Sequence, residues 1–411
     1  MMTAVTAGEP LNILHTIDLN KLYPIVRCQL TLDQALDLPK LYQALKTIGQ
    51  VIPEIYAGYD LENNQWLIPD TRPQRLVQQV ASEVNIDALT LDLETGPQLH
   101  VYLQDTKTGH QVTFVMSHIL TDGAGFKQFL YLLAAIYNQG STAIQGLKNH
   151  MDVTGLETLV QQQKVGTLKP TDHPSAPLYL PTLNSQATTR QYYVNDCHLS
   201  KTDSQKLKTW AKVQGVTLND IFMAVFGQLM QSYAAVPEIT LACPTDTRQY
   251  LPEKERQQLR IQNATARYNT AVTNDFTQPL TATIQAFHQQ MTMLKQDQQF
   301  LQSIRQLLTL AKTQPISALR EVVQQNYSVR PIAYTNFGII DASRLNFTGC
   351  TIKHCLLTGS FREAPAFQAA FSSFNHEIII GFNMIGTTEE INFGNALLQQ
   401  LKQNLQLVTT L

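Results

Sequence analysis

The side chains best placed to do chemistry lie within one short run, Ser117-His118-Ile119-Leu120-Thr121-Asp122-Gly123. An imidazole can take and return a proton near neutral pH, which makes His118 a candidate general base. Asp122 follows four residues later, and Gly123 permits positive φ or a close backbone approach at the start of a helix. With Gly125, it is expected to keep bulk away from the space in front of His118. Residues 111–118 are predicted to form a strand with Val112, Phe114, Met116 and His118 on one face, since alternate residues share a face. The imidazole would then end an apolar row, at a boundary where partial burial favours its neutral form.

The elements that must position this run are mixed α and β. Residues 38–51 carry apolar side chains at 38, 41, 45 and 48, one helical face, and Val51 to Tyr56 is expected to break into extended chain. Residues 98–103 and 111–118 read as strands joined by a turn at Lys107-Thr108-Gly109, followed by a helix burying Phe126, Phe129, Leu130, Leu133 and Ile136. Pro and polar residues between about Gly166 and Thr189 suggest an interdomain crossover. Beyond it come a strand over 192–199, a helix capped by Ser200 and ended by Gly215, and a helix capped by Thr217 with Asp220 at its third position. A single long helix is expected from Thr281 to about Lys312, then strands over 332–334, 352–357, 367–374 and 377–385, and a closing helix from about Thr388 to Leu407. The predicted domains are 1–180, carrying the motif, and 181–411.

Composition narrows the function. Thirty Lys and Arg against thirty-two Asp and Glu give a net charge of −2 without a basic stripe, so nucleic acid is not an expected partner. Apolar runs such as 129–136 are far shorter than the roughly 20 residues of a membrane span. The first ten residues lack a basic start and apolar stretch, so no signal peptide is expected and the predicted location is cytoplasmic. Five scattered cysteines do not form a disulfide framework, and Cys350 and Cys355 lack further ligands for a metal site. His173, His198, His288, His354 and His376 show no partner pattern. Phosphate-loop, GxGxxG and GxSxG motifs are absent, which argues against ATPases, dinucleotide enzymes and typical serine hydrolases.

The run from His118 to Gly123 resembles the HxxxDG signature of the chloramphenicol-acetyltransferase-like, condensation-domain superfamily. Further segments resemble it along most of the chain: Gly215 to Asp220 opening the second lobe's main helix, Cys243-Pro244-Thr245-Asp246-Thr247-Arg248, Arg267-Tyr268-Asn269-Thr270, and Tyr334-Thr335-Asn336-Phe337-Gly338. Ser117 stands where condensation domains usually carry a second histidine, and the DFGWG motif of plant-type acyltransferases is absent. The resemblance implies an α+β fold of two lobes, mixed sheets backed by helices, with a channel between them and the histidine at mid-channel. It implies acyl transfer from a thioester, acyl-CoA or acyl-phosphopantetheine as co-substrate, to the hydroxyl or amine of a small acceptor, without an acyl-enzyme or a permanently bound cofactor. Asp122 is expected to turn away from the channel and pair with an arginine, Arg248 being the candidate. Asn269, Thr270, Asn336 and Ser373 are the candidate oxyanion or channel contacts, and no metal is expected. Two other functions stay open: a free-standing condensation enzyme fed by an acyl or peptidyl carrier protein, and a catalytically silent binding module.

Overall fold

The computed structural model describes residues 4–411 except 108, 163–172, 185–186, 276 and 328. The parts of the expected turn and crossover that fall on 108, 166–172 and 185–186 lie outside the described residues. What is described of 173–190 carries no regular element.

A five-stranded sheet in the order β12-β2-β7-β6-β5 forms the centre of the first lobe. Its strands are β2 (Ile25–Leu32), β5 (Val77–Val80), β6 (Leu99–Thr106), β7 (Gly109–Ser117) and β12 (Ile352–Thr358). A small sheet of β1 (Ala4–Ala7), β3 (Gly58–Asp60) and β4 (Gln65–Ile68) stands beside it. Strand β7 is central, and both its faces are buried: Val112, Phe114 and Met116 on one, Thr113, Val115 and Ser117 on the other. Helices α1 (Leu38–Ile48) and α2 (Gly123–Gln139) pack together and contribute Leu41, Leu45, Phe126, Phe129 and Leu133 to the core. The segment expected to be extended after α1 is instead a 3-10 turn, Pro53–Tyr56, with Pro53 at its first position, where proline's fixed φ suits a helical turn.

In the second lobe, β14 (Phe367–Phe374) lies between β11 (Ile332–Ile340) and β15 (Glu377–Gly386). Strands β8 (Gln191–Leu199) and β13 (Arg362–Glu363) both pair with β15. A long antiparallel pair, β9 (Glu238–Asp246) with β10 (Thr265–Thr273), runs alongside β11. Helices α4 (Lys201–Val213), α5 (Leu218–Ala234), α7 (Leu280–Gln296) and α10 (Thr388–Val408) build the lobe's apolar core with these strands, joined by α3 (Thr154–Gln162), α8 (Leu301–Ala311) and α9 (Ile316–Asn326). The short α6 (Glu253–Arg256) leads into β10. The single helix expected over 281–312 is two helices, α7 and α8, parted at 297–300, where Gln298 takes a left-handed φ of 51°. Its sequence lacks Gly or Pro there, so the break left no local signal.

The lobes exchange chain. β12 lies in the second half of the sequence, yet it pairs antiparallel with β2 and completes the first lobe's sheet, so a cut at 180/181 does not follow the packing. Conversely, Leu11 and Ile13 near the N-terminus pack into the second lobe's core, as do Leu156 and Leu159 of α3. Among the described residues no helix is long and apolar enough to cross a membrane.

Helix α5 contributes Asn219 to the cavity wall between the lobes and rests flush on β9. A Cβ at Gly227 would stand 2.3 Å from Ile239 Cγ2. Gly227→Val should therefore destabilise the protein by about 1–3 kcal/mol through overpacking, read as a lower urea midpoint. A midpoint equal to that of the unsubstituted protein would show that the helix can lift.

Candidate active site

His118 follows the last residue of β7, and its main chain is fixed on two sides. Its N–H donates to the carbonyl of Pro24 at 2.8 Å, and its carbonyl accepts from Asn263 Nδ2 at 3.2 Å. The turn that follows delivers Asp122 as the N-cap of α2, its Oδ1 accepting from the N–H of Gly125 at 2.8 Å. Oδ2 turns the other way, towards the second lobe. It accepts from Arg248 Nη1 at 3.0 Å and from the N–H of Ala264 at 2.8 Å. Arg248 also donates from Nη1 to Asp246 Oδ1 (2.7 Å), from Nε to the carbonyl of Arg260 (3.0 Å) and from Nη2 to that of Gln262 (2.6 Å). Both partners of the Asp122–Arg248 pair are about 5% exposed.

The arginine thus anchors a loop as well as a carboxylate. Residues 259–264 lie against the first lobe: Ile261 is fully buried in its core, and its N–H and carbonyl are bracketed by the side-chain amide of Asn149. The Gln262 carbonyl accepts from the N–H of Asp122 at 3.3 Å. This loop and Arg248 carry several of the links that tie the turn from His118 to Asp122 to the second lobe, and Asn12 Nδ2 adds another by donating to the Ile119 carbonyl at 2.7 Å.

The two glycines serve different ends from those expected, and neither has positive φ. A Cβ at Gly125 would meet Thr121 Oγ1 at 2.3 Å, the Gln262 carbonyl at 2.9 Å and Arg248 Nη2 at 3.0 Å, so Gly125 makes room for the arginine clamp and not for the space before His118. At Gly123 a Cβ would stand 2.7 Å from the Phe337 ring, which the second lobe inserts there.

His118 borders a cavity of about 490 Å³, partly open to solvent and lined by both lobes: Val26, Gly123 and Lys127 from the first, Pro244, Arg267, Phe300 and Tyr334 from the second. Its Nδ1 is buried without a hydrogen-bond partner, which leaves Nε2 as the nitrogen that reaches the cavity. His15, also in the cavity wall, stacks on the His118 ring with centroids 3.9 Å apart and planes 14° from parallel. Burial lowers the His118 pKa from its ordinary 6.5 and outweighs the opposing charge of Asp122. Burial, then the charges of His118 and Arg267, hold His15 well below that value. Both rings are neutral at physiological pH. Asp122 is ionised: burial works against it, but Arg248 and the N–H groups of Gly125 and Ala264 prevail and lower its pKa.

Of the candidate oxyanion contacts, Asn336 lines the cavity; Asn269, Thr270 and Ser373 do not. Asn336 sits at a bulge in β11 where Gly338 takes φ 68°. Its Oδ1 accepts from the Gly338 N–H at 2.9 Å, and its Nδ2 donates to Asn219 Oδ1 at 3.1 Å. Asn269 Oδ1 instead accepts from Arg330, and Thr270 Oγ1 donates to the Leu241 carbonyl. Half-buried Ser373 belongs to β14, paired with Ile339. Sequence reasoning missed His15, which lies 103 positions from its partner in the chain without any motif. It also missed Asn219, the second residue after the Thr217 cap, whose Oδ1 accepts from Tyr334 Oη at 2.9 Å. His288 and His354, read as ordinary, pair with Asp220 and Asp196 outside the cavity.

Residues 68–258 match the family model described as Condensation domain. No curated protein matches the sequence. Among solved structures, polyketide synthase associated protein 5 from Mycobacterium tuberculosis superposes with a TM-score of 0.63 at 13% identity, covering 98% of this chain and 97% of that one. The first condensation domain of the calcium-dependent antibiotic synthetase, in complex with a substrate analogue, gives 0.64 at 12%, covering 99% and 97%. The epimerization domain of tyrocidine synthetase B gives 0.57 at 13%, covering 100% and 98%, so one fold is shared by proteins with differently described roles.

Asp122→Ala should cost about 3 kcal/mol or more in chemical unfolding, because Arg248 would stay buried with Asp246 as its one remaining carboxylate. The depressed pKa of Asp122 also fixes a sign. Its contribution is complete above the ordinary aspartate range near 3.9 and is lost as pH falls through the lower folded value. Acid should therefore destabilise the unsubstituted protein more steeply than Asp122→Asn, and equal acid profiles would remove the charge from this account. The chain thus shares the fold of condensation domains, and its middle, residues 68–258, is similar to the Condensation domain model.

Proposed function

We propose that the chain transfers an acyl group from a thioester to the hydroxyl or amine of a small acceptor, with His118 as general base. The observation that carries this reading is the imidazole whose Nδ1 is sealed and whose Nε2 faces a cavity walled by both lobes. Nε2 takes the proton of the acceptor as its oxygen or nitrogen attacks the thioester carbonyl carbon. The tetrahedral intermediate then collapses, the carbon–sulfur bond breaks, and the imidazolium returns its proton to the departing thiolate. No acyl-enzyme forms. A neutral, desolvated imidazole begins this cycle in the right protonation state, and Asp122 contributes by fixing the turn while its carboxylate faces Arg248. Asn336, in the cavity wall, is the candidate among the four for the oxyanion, with Asn219 holding its amide. The donor is acyl-CoA or acyl-phosphopantetheine. The match to the Condensation domain model supports a second reading, in which the donor arrives on a carrier protein.

Thiol release from a panel of acyl-CoA donors and small alcohols tests the proposal. His118→Ala should lower the rate by about 10²–10⁴-fold, the usual weight of a general base, while the unfolding midpoint stays unchanged. Full activity in that variant would end the assignment of His118. A carrier-bound donor turned over where the matching acyl-CoA is not would select the second reading, and thioesters left intact by both routes would favour a silent binding module.

The pH profile offers an independent check. Since burial depresses the His118 pKa, activity should fall on the acid side below pH 6.5, where the base is lost by protonation. His15→Ala opens the stacked face to water and should move that acid limb upward. An unmoved limb with kcat alone reduced would limit His15 to packing.

A further inference from the structure

Among the described residues of the cavity wall, cationic side chains outnumber carboxylates. Its two lining carboxylates, Asp122 and Asp246, are both engaged by Arg248, whereas Lys127, Arg267, Arg330 and Arg362 also line it. Arg362, the first residue of β13, is the sharpest case. It is 8% exposed. Its Nε donates to Gln368 Oε1 at 3.2 Å and its Nη1 to the Arg330 carbonyl at 2.8 Å. Both acceptors are neutral, and among the described residues no carboxylate stands within ion-pair distance of this guanidinium. Burial draws its pKa down from 12.5 to about 10, against the partial support of Tyr327. Arg362, Gln368 and the Arg330 carbonyl, joined by these hydrogen bonds, form one corner of the cavity, which Arg267, 4.2 Å from the centroid of the Tyr327 ring, also lines.

A buried guanidinium is costly without a counter-charge, and its planar fork matches a carboxylate in two parallel hydrogen bonds. We propose that this corner binds a carboxylate carried by the substrate, with Arg362 as its principal partner and Gln368 fixing the guanidinium plane. The proposal rests on the reading of the cavity as a substrate channel. Leu14, Ile304 and Leu307 line the same cavity and suit an apolar chain, so the ligand class is an amphiphilic carboxylate. That carboxylate belongs either to the acceptor, as in a hydroxy acid, or to the far end of the acyl group.

Calorimetric titration of the full chain with octanoate, octanamide and inorganic phosphate tests the site without requiring turnover. Octanoate should bind at least about tenfold tighter than octanamide, as a charge-assisted pair predicts. Arg362→Gln should abolish that preference while octanamide still binds. Gln368→Glu leaves the arginine in place and supplies an internal carboxylate, so it should exclude octanoate even if Arg362→Gln fails to fold. Equal affinity for octanoate and octanamide in the unsubstituted protein overturns the proposal, as does phosphate binding tighter than octanoate. Turnover then assigns the source. With acetyl-CoA as donor, a rate for glycolate above glycolamide that Arg362→Gln removes places the carboxylate on the acceptor. A preference for glutaryl-CoA over pentanoyl-CoA with the same sensitivity places it on the acyl group. An octanoate preference without any thiol release keeps the site and removes the acyl-transfer reading; thiol release without that preference does the reverse.

Discussion

The buried pair between Asp122 and Arg248 is the constraint on which the site depends. The guanidinium spends its donors on two carboxylates and two carbonyls. Its carboxylate partner is at once the cap of α2 and the acceptor for a main-chain N–H of the second lobe. An interior charge pair gains little over an apolar contact in stability, because desolvation offsets attraction. What it supplies is geometry, since each donor has one direction and one partner. The turn from His118 to Gly123 is therefore set by both lobes together.

That arrangement explains why the lobes interpenetrate. Loop 259–264 reaches from the second lobe into the first lobe's core with Ile261, and β12 crosses back to join β2. Each crossing buries apolar surface and pairs main-chain groups, so relative movement of the lobes at this seam would break hydrogen bonds as well as packing. The cavity lies along the same seam. Its wall is assembled from strands and helices far apart in the chain, and its shape is inherited from how the lobes meet.

Electrostatics divides the cavity into two regions. Around His118 and His15 the wall is dry and neutral, which suits a base that must begin unprotonated. Elsewhere it is cationic: Arg267 lies over the Tyr327 ring, and buried Arg362 donates to neutral acceptors. Asp122 and Asp246 contribute little free negative charge to either region, because Arg248 holds both.

Much of this was legible in the chain itself. The strand leading to His118, the apolar stripe of α2, the cap at Thr217 and Asp220, and the closing helix are local matters, decided by periodicity and capping chemistry within a few residues. The pairing of Arg248 with Asp122 was reached through resemblance, since 126 positions separate the two. Other features had no local trace. The break between α7 and α8 falls in a stretch of ordinary helix formers, and the purpose of Gly125 is visible only once Gln262 and Arg248 stand against it. His15 carries no motif, and neither does Arg362. Sequence determined which residues could carry a proton and which segments would be strands or helices, because those properties belong to side chains and their near neighbours. Tertiary structure alone decided which nitrogen of His118 faces the cavity, which ring lies on it, and that Arg362 is buried against neutral acceptors, because burial and proximity arise only when distant segments pack.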